Sequence, residues 1–354
     1  MRPVTILGAG PAGLAAAVTL AAGGRAVEVH ERRPDCGARF GGDLQGLENF
    51  SGEEDALDEL ARLGLGGDFH AAPFVRGMQT DGRRVDTFAF ARPIFYLVRR
   101  GGEADTIDQA LKRRAIGAGV RLHFGSTLAA GAADIVATGP RGRRAYAVCR
   151  GFAFRTDAPD VAVVLLDDRA GYKGYSYLLV TDGHGCLCTS AFAEFGRVRA
   201  NLAAARATLL GRWPMRVEAE RPVGGAVHFS GRPRWRDGDA LVVGEAAGLQ
   251  DFLWAFGLRA ALRSGALAAR ALLEGSDYAG DAERRFTPLV RGGVVNRFLW
   301  EVGRAGRYAL PRLALRRAGG GPLMEAMYRY HPVQRLLYPV ARAWVRAAHP
   351  HLTV

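Results

Sequence analysis

Apolar residues first gather in a short run, Val4-Thr5-Ile6-Leu7, and then spread through Leu14-Ala15-Ala16-Ala17-Val18 after a glycine-punctuated turn. A short apolar run followed by a longer one predicts a buried strand leading into a helix. Ala26-Val27-Glu28-Val29-His30 alternates and predicts the next strand. From Arg33 to Asn49 the chain is glycine-rich and aperiodic, which predicts a loop, and Glu53 to Leu63 has the spacing of a short helix. Alternation returns from Phe69 to Tyr96 around the turn Thr80-Asp81-Gly82 and predicts antiparallel strands. Asp105 to Ala118 predicts an amphipathic helix, Val120 to Phe124 a strand, and Asp134 to Pro140 a buried strand ending in a glycine turn. Ala145 to Phe195 alternates in segments separated by Asp167-Asp168 and Asp182-Gly183, as an antiparallel sheet does, and Leu202 to Leu210 is helical in spacing. Ala240-Leu241-Val242-Val243, the small-residue turn Gly244 to Gly248 and the apolar helix Leu258 to Leu273 then restore a strand–helix unit.

This order predicts an α/β chain: a Rossmann-like domain with an inserted antiparallel β-sheet substrate domain and a helical C-terminal region. The expected boundaries are 1–66, 99–141 and 233–280 for the nucleotide-binding domain, 67–98 and 142–232 for the insert, and 281–354 for a basic helical region. No internal repeat or disordered linker interrupts them.

The first turn reads Gly8-Ala9-Gly10-Pro11-Ala12-Gly13, a G-x-G-x-x-G between strand and helix. The first glycine permits the tight turn, the second lets backbone approach a pyrophosphate, and the third lets the helix pack on its strand, with the helix N-terminus facing the phosphates. Glu31 follows Gly8 by 23 residues at the end of the second strand, where an acid accepts from a ribose hydroxyl. A dinucleotide is the expected ligand.

Composition adds bounds rather than chemistry. The 354 residues are 49% hydrophobic and 23% charged, an ordinary globular balance. No run of eighteen apolar residues occurs and Met1-Arg2 leads straight into the first strand, so a cytoplasmic protein without a signal peptide is expected. Cys36, Cys149, Cys186 and Cys188 form neither a C-x-x-C pair nor a metal-ligand spacing and read as packing or loop thiols. His70, His123 and His228 show no ligand clustering, so no metal is expected. His184, in Asp182-Gly183-His184-Gly185, reads as an exposed turn residue. The net charge of +13 is uneven: from Asp281 onward 13 Arg face 4 acids. Arginines spaced among Phe298, Leu299, Trp300, Tyr308, Leu310, Leu313, Leu315, Leu336, Leu337, Tyr338 and Trp344 suit a helix on an anionic membrane surface, at the inner face of the cell membrane. A solvated basic face accounts for the same charge, and no nucleic-acid recognition motif accompanies it.

A second motif carries a family resemblance. Gly244-Glu245-Ala246-Ala247-Gly248-Leu249-Gln250-Asp251-Phe252-Leu253-Trp254-Ala255-Phe256-Gly257-Leu258, followed by Ser264-Gly265-Ala266-Leu267-Ala268-Ala269, resembles without a gap the pattern G-D-A-A-G-x-x-D-P-x-x-G-E-G-I with a trailing S-G-x-x-A-A. That pattern belongs to the FAD-dependent family that includes p-hydroxybenzoate hydroxylase, and within it to the geranylgeranyl reductases. With the N-terminal turn, Ala137-Thr138-Gly139, and Arg100 ahead of the helix containing Asp108, the resemblance spans roughly residues 1 to 275. It implies FAD, held by Gly8, Gly10, Pro11, Ala12, Gly13, Glu31, Arg32, Arg39, Arg100, Gly139, Gly244, Glu245, Gly248, Gly257 and Leu258. Glu245 is implied to hold the ribityl chain, and the helix beginning near Gly257 to aim its positive end at the isoalloxazine.

Departures from the pattern bear on the substrate. Glu245 replaces an Asp, Phe252 a Pro and Phe256 a Glu, which implies a bulky, weakly polar wall of Phe40, Phe252, Trp254 and Phe256 for a lipophilic substrate. Phe40 stands where the reductases carry a Cys, so no catalytic Cys is expected there. Tyr175-Ser176-Tyr177-Leu178-Leu179-Val180 is similar in part to a Y-x-W-x-F-P motif of the reductases. It makes Tyr175 or Tyr177 the candidate proton source, with water equally admissible and plain sheet packing an alternative reason for the aromatics. The chain lacks a second G-x-G-x-x-G, so NAD(P)H docking transiently, or another donor, is expected to reduce the flavin. A halogenase of this fold needs W-x-W-x-I-P and a catalytic Lys, and neither Lys112 nor Lys173 sits in that context. The resemblance implies a reductase of carbon-carbon double bonds in a polyprenyl or other lipophilic substrate. A monooxygenase hydroxylating an aromatic or lipophilic compound is the alternative, and a flavoprotein that only binds a lipid or partner is a third.

Overall fold

The parallel pairing of β1 (Val4–Leu7) with β2 (Val27–Glu31) follows from the helix between them, α1 (Pro11–Ala22), which carries the chain back along the sheet. These strands belong to a six-stranded sheet in the order β15 (Arg236–Asp237), β16 (Ala240–Val242), β9 (Ile135–Val136), β1, β2 and β8 (Arg121–Phe124), parallel apart from the β15–β16 pair. The computed structural model describes residues 2–128, 131–140, 145–304, 308, 313, 320–350 and 352. On the sheet, α1 packs against α5 (Leu258–Glu274) and α3 (Ile107–Gly117).

The second sheet has seven strands in the order β14 (Glu218–Val227), β10 (Ala147–Arg155), β13 (His184–Ala191), β12 (Tyr175–Thr181), β11 (Val161–Leu165), β5 (Arg76–Thr80) and β6 (Val85–Ala89). All its pairs are antiparallel except β11 with β5. One face packs Phe152, Leu178 and Leu187 beneath α4 (Val198–Arg212), which contributes Ala205 and Leu209. The alternation of strand side chains then turns Tyr175, Tyr177, Cys188 and Ser190 to the other face.

A three-stranded antiparallel sheet, β3 (Leu44–Glu48), β7 (Phe95–Arg99) and β4 (Ala71–Phe74), lies between the segments assigned to two domains and draws strands from both. β3 falls inside the segment expected to be a loop. It carries no apolar alternation, because Leu44 and Leu47 are buried on opposite faces and Glu48 is buried too: Ser51 donates to its carboxylate and Arg259 reaches its carbonyl oxygen. Arg259 is fully buried, with Nε 2.7 Å from Glu59 of α2 (Ala56–Arg62), and this ties the start of α5 to α2 and β3.

The C-terminal part packs as core. In α6 (Tyr278–Arg304), Arg297 stacks on Phe192 and pairs with Glu301, which also meets Lys173 at 3.0 Å and His349 at 2.8 Å. Two further helices follow, α7 (Gly320–Tyr328) and α8 (Pro332–Ala348). Gln334 of α8 donates to Asn296 of α6 and to the Met327 carbonyl of α7. Trp300 and Tyr308, expected on an outward apolar face, are buried, whereas Leu299, Leu313 and Leu336 are exposed. Leu310 and Leu315 lie outside the described residues.

Candidate functional site

A cavity of about 430 Å³ runs from the first glycine turn to the aromatic face of the seven-stranded sheet. At one end it is walled by Pro11, Ala12, Arg39, Arg100, Gly139 and Glu245, and at the other by Tyr175, Tyr177, Trp254 and a group of phenylalanines.

The first end is built from backbone. A Cβ on Gly13 would lie 1.9 Å from the Gly8 carbonyl oxygen, and one on Gly8 2.4 Å from the Ala137 carbonyl oxygen, so the turn closes only with glycine at both places. A Cβ on Gly10 would meet nothing within 4 Å, which leaves the approach to the α1 N-terminus open. Neither Gly10, the N-cap of α1, nor Gly257, the N-cap of α5, supplies a capping side chain. Two helix N-termini therefore direct N–H groups and positive dipole ends toward one space. A pyrophosphate and a ring that gains negative charge on reduction both suit that field, so the residues present fit FAD.

Side chains complete this end. Glu31 accepts from the N–H groups of Ala9 and Arg33, at 2.9 Å each, which fixes its carboxylate beside the turn. Arg100 is buried, donates through Nε and Nη2 to Asp108 at 2.8 Å each, reaches Gln45 at 2.6 Å and stacks on Phe40. Glu245 lies 3.9 Å from Arg39; burial raises its carboxyl pKa against the pull of Arg39. Gly257 and Leu258 reach the cavity. Gly244 donates to Ser264 and Gly248 packs on Ser230, so both shape the turn behind the wall. Arg32 is exposed and lies off the cavity lining.

The second end is built from side chains. Trp254 and Phe256 line it, and the Phe256 ring lies on Gly46, where a Cβ would come 2.3 Å from Cε1; Phe40, expected on the same wall, instead carries Arg39 and Arg100 on its ring at the first end. Phe252, expected on the same wall, is instead fully buried, stacked 3.8 Å from Phe229 and 4.3 Å from Tyr146. The chain turns sharply at Ala255, φ +61°, and this sends Trp254 and Phe256 toward the cavity while Phe252 stays in the core. Gln250 braces the turn by donating to the Ala255 carbonyl, and Asp251 by accepting from the Trp254 N–H.

The two tyrosines line the cavity. Tyr175 donates to the Trp254 carbonyl at 2.5 Å, and Tyr177 sits opposite Cys188 across the β12–β13 pair. Burial pushes both phenols well above the usual range. Cys149 is pushed up to about 12 by burial, and Cys188 is raised by the Cys186 thiol and by burial, so neither cavity thiol is an activated nucleophile. Lys112 pairs with Asp35 and Lys173 with Glu301, both off the cavity lining.

Sequence reasoning gave no role to Asp43. It is buried on the cavity wall; Gln45 donates to Oδ2 at 2.9 Å, and Oδ1 has no hydrogen-bond partner. Burial raises its pKa. An acid directly after Gly41-Gly42 was the available signal. Sequence reading also missed the grouping of Glu28, His30 and His123, whose donor atoms lie within 4.8 Å of one another, because β2 and β8 bring distant residues into register. Arg121 already pairs with that glutamate, and the imidazoles stack on each other.

Residues 6–43 match the family model of an NAD(P)-binding Rossmann-like domain. No curated protein matches the sequence. Among solved structures, a geranylgeranyl bacteriochlorophyll reductase-like protein from Thermoplasma acidophilum is similar with a TM-score of 0.66 at 16% identity, over 98% of each chain. The flavin-dependent brominase Bmp2 is similar at 0.64 and 15% identity, again over 98% of each chain. PqsL of P. aeruginosa, solved in complex with 2-aminobenzoylacetate, is similar at 0.62 and 16% identity, over 84% of this chain and 96% of its own. These likenesses show that the chain shares the fold of those proteins, with a Rossmann-like nucleotide-binding segment at residues 6–43.

Proposed function

We propose that the protein is an FAD-dependent oxidoreductase that reduces a carbon-carbon double bond in a polyprenyl or other lipophilic substrate. The observation that carries the reading is the single cavity joining a dinucleotide cradle to an aromatic wall. FAD, when bound, supplies the hydride for one carbon of the alkene. The chain must then orient the alkene, exclude water and deliver a proton to the second carbon. Trp254, Phe256 and the phenylalanines beyond them favour an apolar chain and disfavour water.

For the proton, Asp43 is better placed than either tyrosine. The Tyr175 phenolic hydrogen is committed to the Trp254 carbonyl and burial holds both phenols well above the usual range, whereas Oδ1 of Asp43 is unpartnered on the wall. A carboxyl raised by burial holds a proton nearer neutral pH than an exposed one does. NAD(P)H or another donor would reduce the flavin.

The test is an anaerobic single turnover of chemically reduced holoprotein with a panel of polyprenyl lipids, following flavin reoxidation and product mass. A gain of two hydrogens without oxygen supports the reading. Product that forms only when oxygen enters, and gains one oxygen atom, replaces it with a monooxygenase.

A further inference from the structure

Gln79 on β5 lines the aromatic end of the cavity and is only 4% exposed. Strand register fixes the way it faces. Cys188 pairs with Tyr177, Tyr177 with Val164 and Val164 with Gln79, so the four stand in one row across β13, β12, β11 and β5, on the cavity side of the sheet. Nε2 of Gln79 has no hydrogen-bond partner, although Asp86 stands opposite it on β6. A buried donor left unpaired costs a fold stability, and such a group calls for a partner from outside the chain. There is room for one. Gly77 is the next residue on the same face of β5, and a Cβ there would meet only the Phe90 ring, at 3.7 Å. Phe74, Phe88 and Met324 line the cavity around it and supply no side-chain oxygen to take the proton.

We propose that Gln79 donates to a hydroxyl or ether oxygen of the substrate, and so selects an oxygen-bearing lipid over a hydrocarbon. This deepens the reading of the cavity as a lipophilic substrate site and rests on it. The row also places the oxygen. Gln79 stands two strands from Tyr177, about 10 Å away. At the other end of the row Leu44, directly after Asp43, packs with Cys188. The oxygen is therefore remote from the double bond that Asp43 would protonate, and is not conjugated with it. A substrate whose only oxygen adjoins the reacting alkene would leave Nε2 unpaired. In these apolar surroundings the bond to a remote oxygen is stronger than in water.

The experiment measures binding of farnesol, farnesyl methyl ether and the hydrocarbon farnesene to oxidised holoprotein, read from flavin absorbance and Trp fluorescence, in wild type, Gln79→Leu and Gln79→Met. Both variants should weaken farnesol and its ether about tenfold, the loss of one hydrogen bond, and bind farnesene as tightly as wild type or more so. Their melting temperature should not fall, since each removes a buried donor that the fold leaves unpaired. Three results overturn the proposal: wild type that does not bind farnesol, variants that bind farnesol like wild type, and equal losses for all three ligands. A lower melting temperature in both variants would assign Gln79 to the structure and overturn it too. Binding needs no turnover, so the two readings fail separately. If Gln79 discriminates alcohol from hydrocarbon while anaerobic reduced holoprotein leaves farnesol unreduced, the reductase reading falls and the oxygen site stands.

Discussion

The two ends of the cavity are made of different material. The nucleotide end depends on what the backbone does: a turn that closes only with Gly8 and Gly13, and two helices whose uncapped N-termini share one space. The aromatic end depends on what side chains do, with rings from strands and loops far apart in sequence meeting across the gap. Backbone geometry tolerates almost no variation in residue type, whereas a wall of rings keeps its apolar character through many substitutions. The first end is therefore suited to one ligand class and the second to divergence in substrate.

The sharpest way to break the comparison is Gly10→Val. Gly10 has φ −81° and ψ 179°, extended backbone open to any residue, and a Cβ there meets no protein atom within 4 Å. The apoprotein should fold and melt like wild type, while FAD affinity measured by flavin fluorescence quenching falls by about a thousandfold, roughly 4 kcal/mol. Retained FAD would show that the cofactor does not lie against this turn.

Arg259→Met tests the support behind that end. The guanidinium is fully buried, donates to Glu59 and to the carbonyls of Glu48 and Glu54, and sits one residue into α5 from Leu258. Its removal leaves Glu59 with Arg263 and two buried carbonyls without their donor, so denaturant unfolding should show a loss of about 3 kcal/mol. A loss below about 1 kcal/mol would mean the α5 N-terminus is held by packing alone.

Legibility in the sequence follows the same division. The glycine turn was readable because its spacing is local: Gly13 closes on the Gly8 carbonyl five positions back, and α1 begins directly after Gly10. β3 was hidden by Glu48, which looks like a surface residue until Arg259, 211 positions later, reaches it. Phe252 was misplaced because the turn at Ala255 requires a left-handed conformation that alanine does not advertise. Which residues of the basic tail turn inward was hidden for a related reason: composition gives the arginines and rings but not which of them Glu301 and Asp168 pair with. The Glu28, His30 and His123 grouping needed strand register, which no spacing reveals.

Asp251, in the turn that carries Trp254, offers a test through pH. Burial raises its carboxyl to about 6 in the folded protein, against 3.8 normally. A raised acid binds its proton more tightly folded than unfolded, so its contribution to stability is lost as pH rises from about 4 to 6. Asp251→Asn keeps an acceptor for the Trp254 N–H and should stabilise the protein at pH 7 by up to about 3 kcal/mol, with the gain vanishing near pH 4. Glu301 supplies the opposite sign. Burial would raise it, but His349, Arg297 and Lys173 outweigh burial and hold it at about 2, so its contribution is present above about 4.5 and lost as pH falls toward 2. An Asp251→Asn curve parallel to wild type from pH 4 to 7 would refute the buried-carboxyl account.

The smallest expected effect sharpens the comparison most, because it falls on a residue that sequence resemblance marked for catalysis. Tyr175→Phe removes one hydroxyl whose partner is the Trp254 carbonyl. The ring stays packed edge-on against Trp254, 5.2 Å between centroids, so the wall keeps its shape. Loss of one hydrogen bond should cost about 1 kcal/mol in unfolding experiments, and FAD affinity should not move. Asp43→Asn should also leave FAD bound but remove the titrating proton from the wall, so in single-turnover reoxidation by a lipid substrate it should slow the reaction by about a hundredfold, against less than about threefold for Tyr175→Phe. If the order is reversed, with Tyr175→Phe the slow variant and its pH profile flattened, the tyrosine carries the proton. The aromatic end would then be as intolerant of change as the glycine turn.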